Sequence, residues 1–193
     1  MPGESDDADA GGGRLGLLGI GSNVGERRAH LQAAVDGLAA VGVRVLASSS
    51  TYDTDPVGEI PDQPSFLNAC LRIRTGLTPL ALLDAVKRLE GELGRRDGVR
   101  HGPRSIDIDI LLLGSETLDD ERMTLPHAQL SRRRFVLIPA LELDFELRLP
   151  DGARLADALA ALPATEGVRW AGPPLLLTGA GATASSEPRL SGR

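Results

Sequence analysis

Residues 102–114, GPRSIDIDILLLG, set Asp107 and Asp109 two positions apart in an otherwise apolar strand. Strands disfavour aspartate, and an unpaired carboxylate is costly to bury, so the pair needs a use. Side chains alternate along a strand, which puts both carboxylates on one face, about 7 Å apart at roughly 3.3 Å per residue. Two readings fit: each aspartate pairs with an arginine such as Arg104, or cations lie between them. Two Mg²⁺ ions about 3.5–4 Å apart, bridged by carboxylates and phosphate oxygens, match the spacing. Arg95, Arg96, Arg100 and Arg104 precede the pair, and Arg122, Arg132, Arg133 and Arg134 follow it. Any one of these arginines reads as solvated surface. Together, around an apolar strand, they favour a site for a polyanion with metal ions.

The elements that must position this strand alternate legibly. RLGLLGI (14–20) reads as a strand, GERRAHLQAAVDGLAAV (25–41) as a helix with Leu31, Ala34, Val35 and Leu38 at helical spacing, VRVLASSSTY (43–52) as β-rich, and FLNACLRIRT (66–75) as a strand. TPLALLDAVKRLEGELG reads as a helix with Thr78 at the N-cap, Pro79 at the first helical position and Gly94 at the C-terminal cap. SIDIDILLL (105–113) closes a β-α-β-β-α-β order, the ferredoxin-like pattern of α+β folds. The expected architecture is an antiparallel sheet with both helices on one face and added C-terminal elements, among them a helix in RRRFVLIPALEL (132–143). Leu67, Ala69, Leu71 and Ile73, with Ile106, Ile108, Ile110 and Leu112, should lie under the helices. Phe66, Asn68, Cys70, Asp107 and Asp109 should share the other face.

Composition narrows the function classes. The chain has 193 residues, a net charge of −6 and one cysteine. That length suits one well-packed domain or two small ones, and no apolar run could cross a membrane. The acidic balance argues against indiscriminate nucleic-acid binding, and MPGESDDADAGGG lacks the basic and apolar regions of a signal peptide. A cytoplasmic protein is expected. Residues 1–13 read as a disordered acidic tail, 14–162 as a single domain and 163–193 as a largely flexible extension; the segment 162–177 reads as a linker plus packing segment without a place in the fold. GIGSNVG (19–25) resembles a dinucleotide-binding glycine loop, but the spacing fails, and a tight turn capping the first helix accounts for it. His30 reads as exposed, Cys70 as a small filler and Trp170 as packing.

Four separated stretches, IGSN (20–23), DQPSFLNA (62–69), GPRSIDIDILLLG and RMTLPHAQLSRRRF (122–135), together resemble the 6-hydroxymethyl-7,8-dihydropterin pyrophosphokinase family, in colinear order from about Leu15 to Asp151. The resemblance implies diphosphate transfer from ATP to the pterin alcohol, a step of folate biosynthesis. It implies that Asp107 and Asp109 bind two Mg²⁺ ions and that Arg95 and Arg104 act in catalysis on the triphosphate. Glu90, Arg104, Arg122, Thr124, His127, Arg133 and the backbone near Ile110 would line the ATP site. Phe66 and Phe135 would sandwich the pterin, while Asn68 and the backbone from Thr54 through Asp55 to Val57 would bond its edge. Aromatic faces suit a planar heterocycle, an amide matches its donor–acceptor edge, and the chain has only three Phe to place. The partners implied are these two small molecules, acting on a monomer.

The chain departs from the family pattern at His101, where tryptophan is common, at Asp97, where a second arginine often stands, and at Ala128, where an aromatic is frequent. All three bear on the glycine-bearing loop 94–104, expected to fold over the triphosphate, or on nucleotide contacts. Two other classes share the charge layout: a nucleotide-binding module without catalysis, and a metal-dependent nucleotidyltransferase that releases pyrophosphate. Phe66, Asn68 and Phe135 argue against both.

Overall fold

A computed structural model of the chain describes residues 13–55, 64–95, 104–164 and 167–177. The elements run β1 (Arg14–Ser22), α1 (Arg27–Leu38), β2 (Val43–Ser48), β3 (Thr51–Thr54), β4 (Phe66–Thr75), α2 (Pro79–Glu92), β5 (Asp107–Leu113), β6 (Leu118–Asp119), β7 (Thr124–Leu125), α3 (Arg134–Leu143), α4 (Leu155–Ala161) and β8 (Val168–Gly172). The main sheet has the order β5-β1-β4-β3-β8, with β2 also on β4. All its pairings are antiparallel. This is the ferredoxin-like sheet expected from the element order, extended at one edge.

Periodicity decides which face each strand buries. Leu67, Ala69, Leu71 and Ile73 of β4 and Ile108 and Ile110 of β5 pack with Leu31, Val35 and Leu38 of α1 and Leu82, Val86 and Leu89 of α2. Thr78 holds the N-cap position of α2, Pro79 opens it, and Gly94 takes the left-handed conformation (φ +85°) just past its end. The opposite face is not bare. Leu17, Cys70, Leu111 and Leu112 pack there against Leu137, Ala140 and Leu141 of α3 and Leu155 of α4.

Several features differ from the sequence reading. Trp170, expected to pack, is exposed on an edge strand, and His30, expected to be exposed, is half-buried with Nδ1 3.4 Å from Ser22 Oγ. Leu112 lies on the α3 face, not under α1 and α2, because β5 bulges: Leu17 pairs Leu112 but Leu18 pairs Ile110, leaving Leu111 as an extra residue. Leu113 takes the place beside Ile110 in the helix-side core. The stretch 43–52 is two strands rather than one. Its break falls at Ser49, whose N–H donates to the Cys70 carbonyl and whose Oγ accepts the Cys70 N–H, both at 2.9 Å. Gly19 and Gly21 belong to β1 and not to a helix-capping turn; Gly25, at φ +62°, makes the turn into α1. The segment left without a place supplies β8, an edge strand on β3, followed by Leu175, which is buried.

Candidate active site

Register places the chemistry. Asp107 stands opposite Gly21 of β1, and Gly21 stands opposite Asn68 of β4. One pair further along, Asp109 faces Gly19, and Gly19 faces Cys70. Directly opposed residues share a face, so each carboxylate is separated from β4 only by a glycine. The spacing is tight: a methyl on Gly21 would sit 2.5 Å from Asn68 Oδ1. The Asn68 amide therefore lies directly over Gly21, and the Leu111 side chain covers Gly19, 3.3 Å from where a methyl would stand. Nothing in the GIGS run suggests this, because it requires the pairing of three strands.

The cations converge on Asp107. Arg95 Nη1 donates to Asp107 Oδ1 at 2.6 Å and to Glu90 Oε2 at 2.5 Å, while Arg104 Nη1 donates to Asp107 Oδ2 at 2.5 Å. Lys87, which sequence reasoning did not select, donates to Glu90 at 2.8 Å and lies 4.0 Å from Asp107. Glu90 is fully buried, and its Oε1 accepts the Ile108 N–H at 2.6 Å, satisfying the open edge of β5. Burial pushes the Glu90 carboxyl up, against the downward pull of Lys87, the Ile108 N–H and Arg95. Burial also works against charge on Arg95, but Asp107 and Glu90 outweigh it and hold its guanidinium above the ordinary range.

Asp109 shares the upward push seen at Glu90. Burial pushes its carboxyl up, Asp107 pushes the same way, and His127, Lys87 and Arg104 pull against them. A crowded, desolvated carboxylate beside a second one is a donor set that a divalent cation would relieve. Among the described residues, no group of three or more His, Cys, Asp or Glu side chains is placed to hold a metal. Two carboxylates suit Mg²⁺, which keeps much of its shell as water and substrate phosphate.

The other expected residues are placed by their own elements. The His127 N–H donates to the carbonyl of the bulged Leu111 at 2.9 Å, fixing His127 next to Asp109. Thr124 opens β7, and the exposed Arg122 just before it pairs with Asp84 of α2. Ile110 is buried in β5. Arg133 lies over the Phe135 ring, 5.6 Å from its centroid. Asn68 Nδ2 donates to Thr54 Oγ1 at 2.7 Å, and Thr54 pairs Phe66 at the end of the β3–β4 ladder. Asp55 accepts from Arg169 of β8 at 2.8 Å. Val57, His101, Asp97 and most of the 94–104 loop lie outside the described residues. Asn23 carries a further constraint: buried itself, it accepts the Arg104 N–H through Oδ1 at 2.8 Å and donates its own N–H to the Arg104 carbonyl at 3.2 Å.

Comparison with known proteins decides the family. The profile described as 7,8-dihydro-6-hydroxymethylpterin-pyrophosphokinase matches residues 17–145. The chain belongs to this family. The 2-amino-4-hydroxy-6-hydroxymethyldihydropteridine pyrophosphokinase of Pseudomonas aeruginosa is 44% identical over 147 residues, 76% of this chain and 90% of the relative. The enzyme of the same name from Bacillus subtilis is 42% identical over 130 residues, 67% of this chain and 77% of its own. Among solved structures, the Plasmodium falciparum HPPK-DHPS crystallised with pteroate superposes with a TM-score of 0.63 at 12% identity. That match covers 77% of this chain but only 44% of the longer one, and it speaks to the fold alone. As a pyrophosphokinase of this family, the chain transfers a diphosphate from ATP to hydroxymethyldihydropterin in folate biosynthesis. No helix among the described residues is long and apolar enough to cross a membrane.

Proposed function

We propose that this pyrophosphokinase binds its two substrates side by side across Gly21 of β1, the triphosphate over Asp107 and Asp109 and the pterin over Asn68. The observation that carries this reading is the cross-strand row Asp107–Gly21–Asn68, which sets an anion-handling strand and a heterocycle-reading strand one strand apart with only a glycine between them. Asp107 and Asp109 would hold two Mg²⁺ ions, which on binding ATP would supply charge neutralisation along the triphosphate. Arg95 and Arg104 then leave Asp107 for phosphate oxygens, where bidentate charge-assisted bonds are strong. Glu90 keeps Arg95 and the edge of β5 in place while Arg122, Thr124, His127, Arg133 and the Ile110 backbone line the nucleotide side. The pterin lies between Phe66 and Phe135, with its edge on Asn68 and on the backbone of Thr54, Asp55 and Val57. Its hydroxymethyl oxygen attacks the β-phosphorus in line, the new P–O bond forms as the bond to the α-phosphate oxygen breaks, the hydroxyl proton passes to water, and AMP departs. Transfer of this kind depends on position and charge more than on a strong base.

We further propose that residues 14–162, together with β8 on the sheet edge and the buried Leu175, act as one catalytic domain, in the cytoplasm and as a monomer, on small molecules alone. The pterin placement has a direct test. Phe66→Ala and Phe135→Ala should each weaken pterin binding by about 1–3 kcal/mol, the worth of a lost stacking face, and leave ATP binding nearly unchanged. Calorimetric titration of each variant with each substrate measures both quantities. ATP affinity falling as far as pterin affinity would move the pterin elsewhere.

A further inference from the structure

We infer that Arg27 is a positioning residue for the pterin pocket, acting from the helix side of the sheet. This rests on the pterin placement proposed above. Arg27 is the first residue of α1, a helix with no acidic side chain in its first turn. A cation there opposes the helix dipole, so the arginine is poorly suited to its own helix and suits something else. Its Nη1 donates to Asp53 Oδ1 at 2.7 Å, to the Ser65 carbonyl at 2.9 Å and to Ser65 Oγ at 3.1 Å. Ser65 Oγ also donates to Asp53 Oδ1 at 3.3 Å.

Asp53 and Ser65 are the residues just before Thr54 and Phe66, and Thr54 pairs Phe66 as the last rung of the β3–β4 ladder. Ladder ends fray when nothing holds them. Because neighbours alternate faces, Asp53 turns away from the face that carries Thr54, toward α1. The Arg27 guanidinium thus staples the rung from beneath while Thr54 and Phe66 keep their other side for the ligand. Arg27 and Asp53 side chains are each 31% exposed, so solvent screens the pair only in part. One residue past Thr54, Asp55 makes an exposed side-chain pair with Arg169, which solvent screens, so the rung depends on Arg27. The staple orders the Phe66 ring and the Thr54–Asn68 bond before the pterin arrives, an ordering cost the ligand otherwise meets on binding.

The test compares Arg27→Gln with Arg27→Lys by steady-state kinetics, varying pterin and ATP separately, with thermal midpoints and Phe66→Ala as the reference variant. Arg27→Gln should raise the pterin KM about tenfold, with kcat and the ATP KM within about twofold of wild type, and Arg27→Lys should recover most of the loss through the retained charge. Asp53→Asn should match Arg27→Gln, and the double variant should be no worse than either, because the two act as one unit. If Arg27→Gln leaves the pterin KM unmoved while Phe66→Ala raises it, the staple is wrong and the pterin site stands. If neither variant moves it, the pterin placement fails and the staple with it. If both substrates weaken together in step with the thermal midpoint and lysine restores nothing, Arg27 only holds the fold and the inference is overturned.

Discussion

Asp109→Asn is expected to abolish turnover and yet raise the thermal midpoint of the metal-free protein, whereas Asp107→Asn should abolish turnover and lower it. Both follow from one strand. The Asp109 carboxyl is pushed up by burial and by Asp107. A carboxylate whose folded-state pKa lies above its unfolded value costs stability once pH exceeds the unfolded value. At neutral pH an ionised Asp109 is therefore a burden on the fold, and the isosteric neutral amide removes it. The midpoint should rise by roughly 2–4 °C per kcal/mol relieved in a chain of this size. Asp107, in contrast, accepts from both Arg95 and Arg104, so its amide leaves two guanidinium groups with weaker partners. The loss of rate should be about 10²–10³-fold or more in each case, comparable to removing one preorganised electrostatic group. Thermal melts in chelator, set beside initial rates with saturating ATP, Mg²⁺ and pterin, measure both. If both variants lose activity only in proportion to lost stability, the aspartates are structural partners of the arginines and not cation ligands.

Arg95→Ala should lower kcat by about 10²–10³-fold while ATP binds as well as before, or better. Without nucleotide, Arg95 sits on Asp107 and Glu90, where it competes with any cation for Asp107. On the proposed roles, removing it frees a carboxylate for a cation and deletes a group that meets phosphate chiefly in the reacting state. Arg104 differs, because Asn23 holds its backbone from both N–H and carbonyl and fixes it at the mouth of β5. Arg104→Ala should therefore weaken ATP binding and slow turnover together. Single-turnover rates with calorimetric ATP affinities separate the two patterns. Wild-type turnover by Arg95→Ala at saturating substrate would show that its contacts are structural.

What the sequence disclosed follows from where physical signals are local. Two-residue alternation in Phe66–Ile73 and Ile106–Ile110 assigned faces correctly because each polar position there is answered by an apolar neighbour. Pro79 and Gly94 bounded α2 through backbone constraints that need no tertiary context. The run LLL at 111–113 has no alternation, so the bulge that sends Leu112 to the α3 face left no trace. The break at Ser49 was hidden because serine imitates a backbone partner for Cys70. β8 escaped since Arg169, Trp170 and Ala171 are all exposed on an edge strand. In the site, the aspartates, Phe66 and Asn68 were legible from composition and face. Gly19, Gly21, Lys87 and Arg27 were not, because their roles exist only after strands pair and helices dock.

This arrangement moves a diphosphate, not a nucleotidyl group, and does not merely bind ATP. Incubating the full chain with ATP, Mg²⁺ and 6-hydroxymethyl-7,8-dihydropterin, and resolving the products by phosphorus NMR, reads this directly. The geometry predicts AMP and a pterin diphosphate in equal amounts, both dependent on pterin. Release of inorganic pyrophosphate with a nucleotidylated pterin, or ATP left intact by a folded protein that binds it, would contradict it.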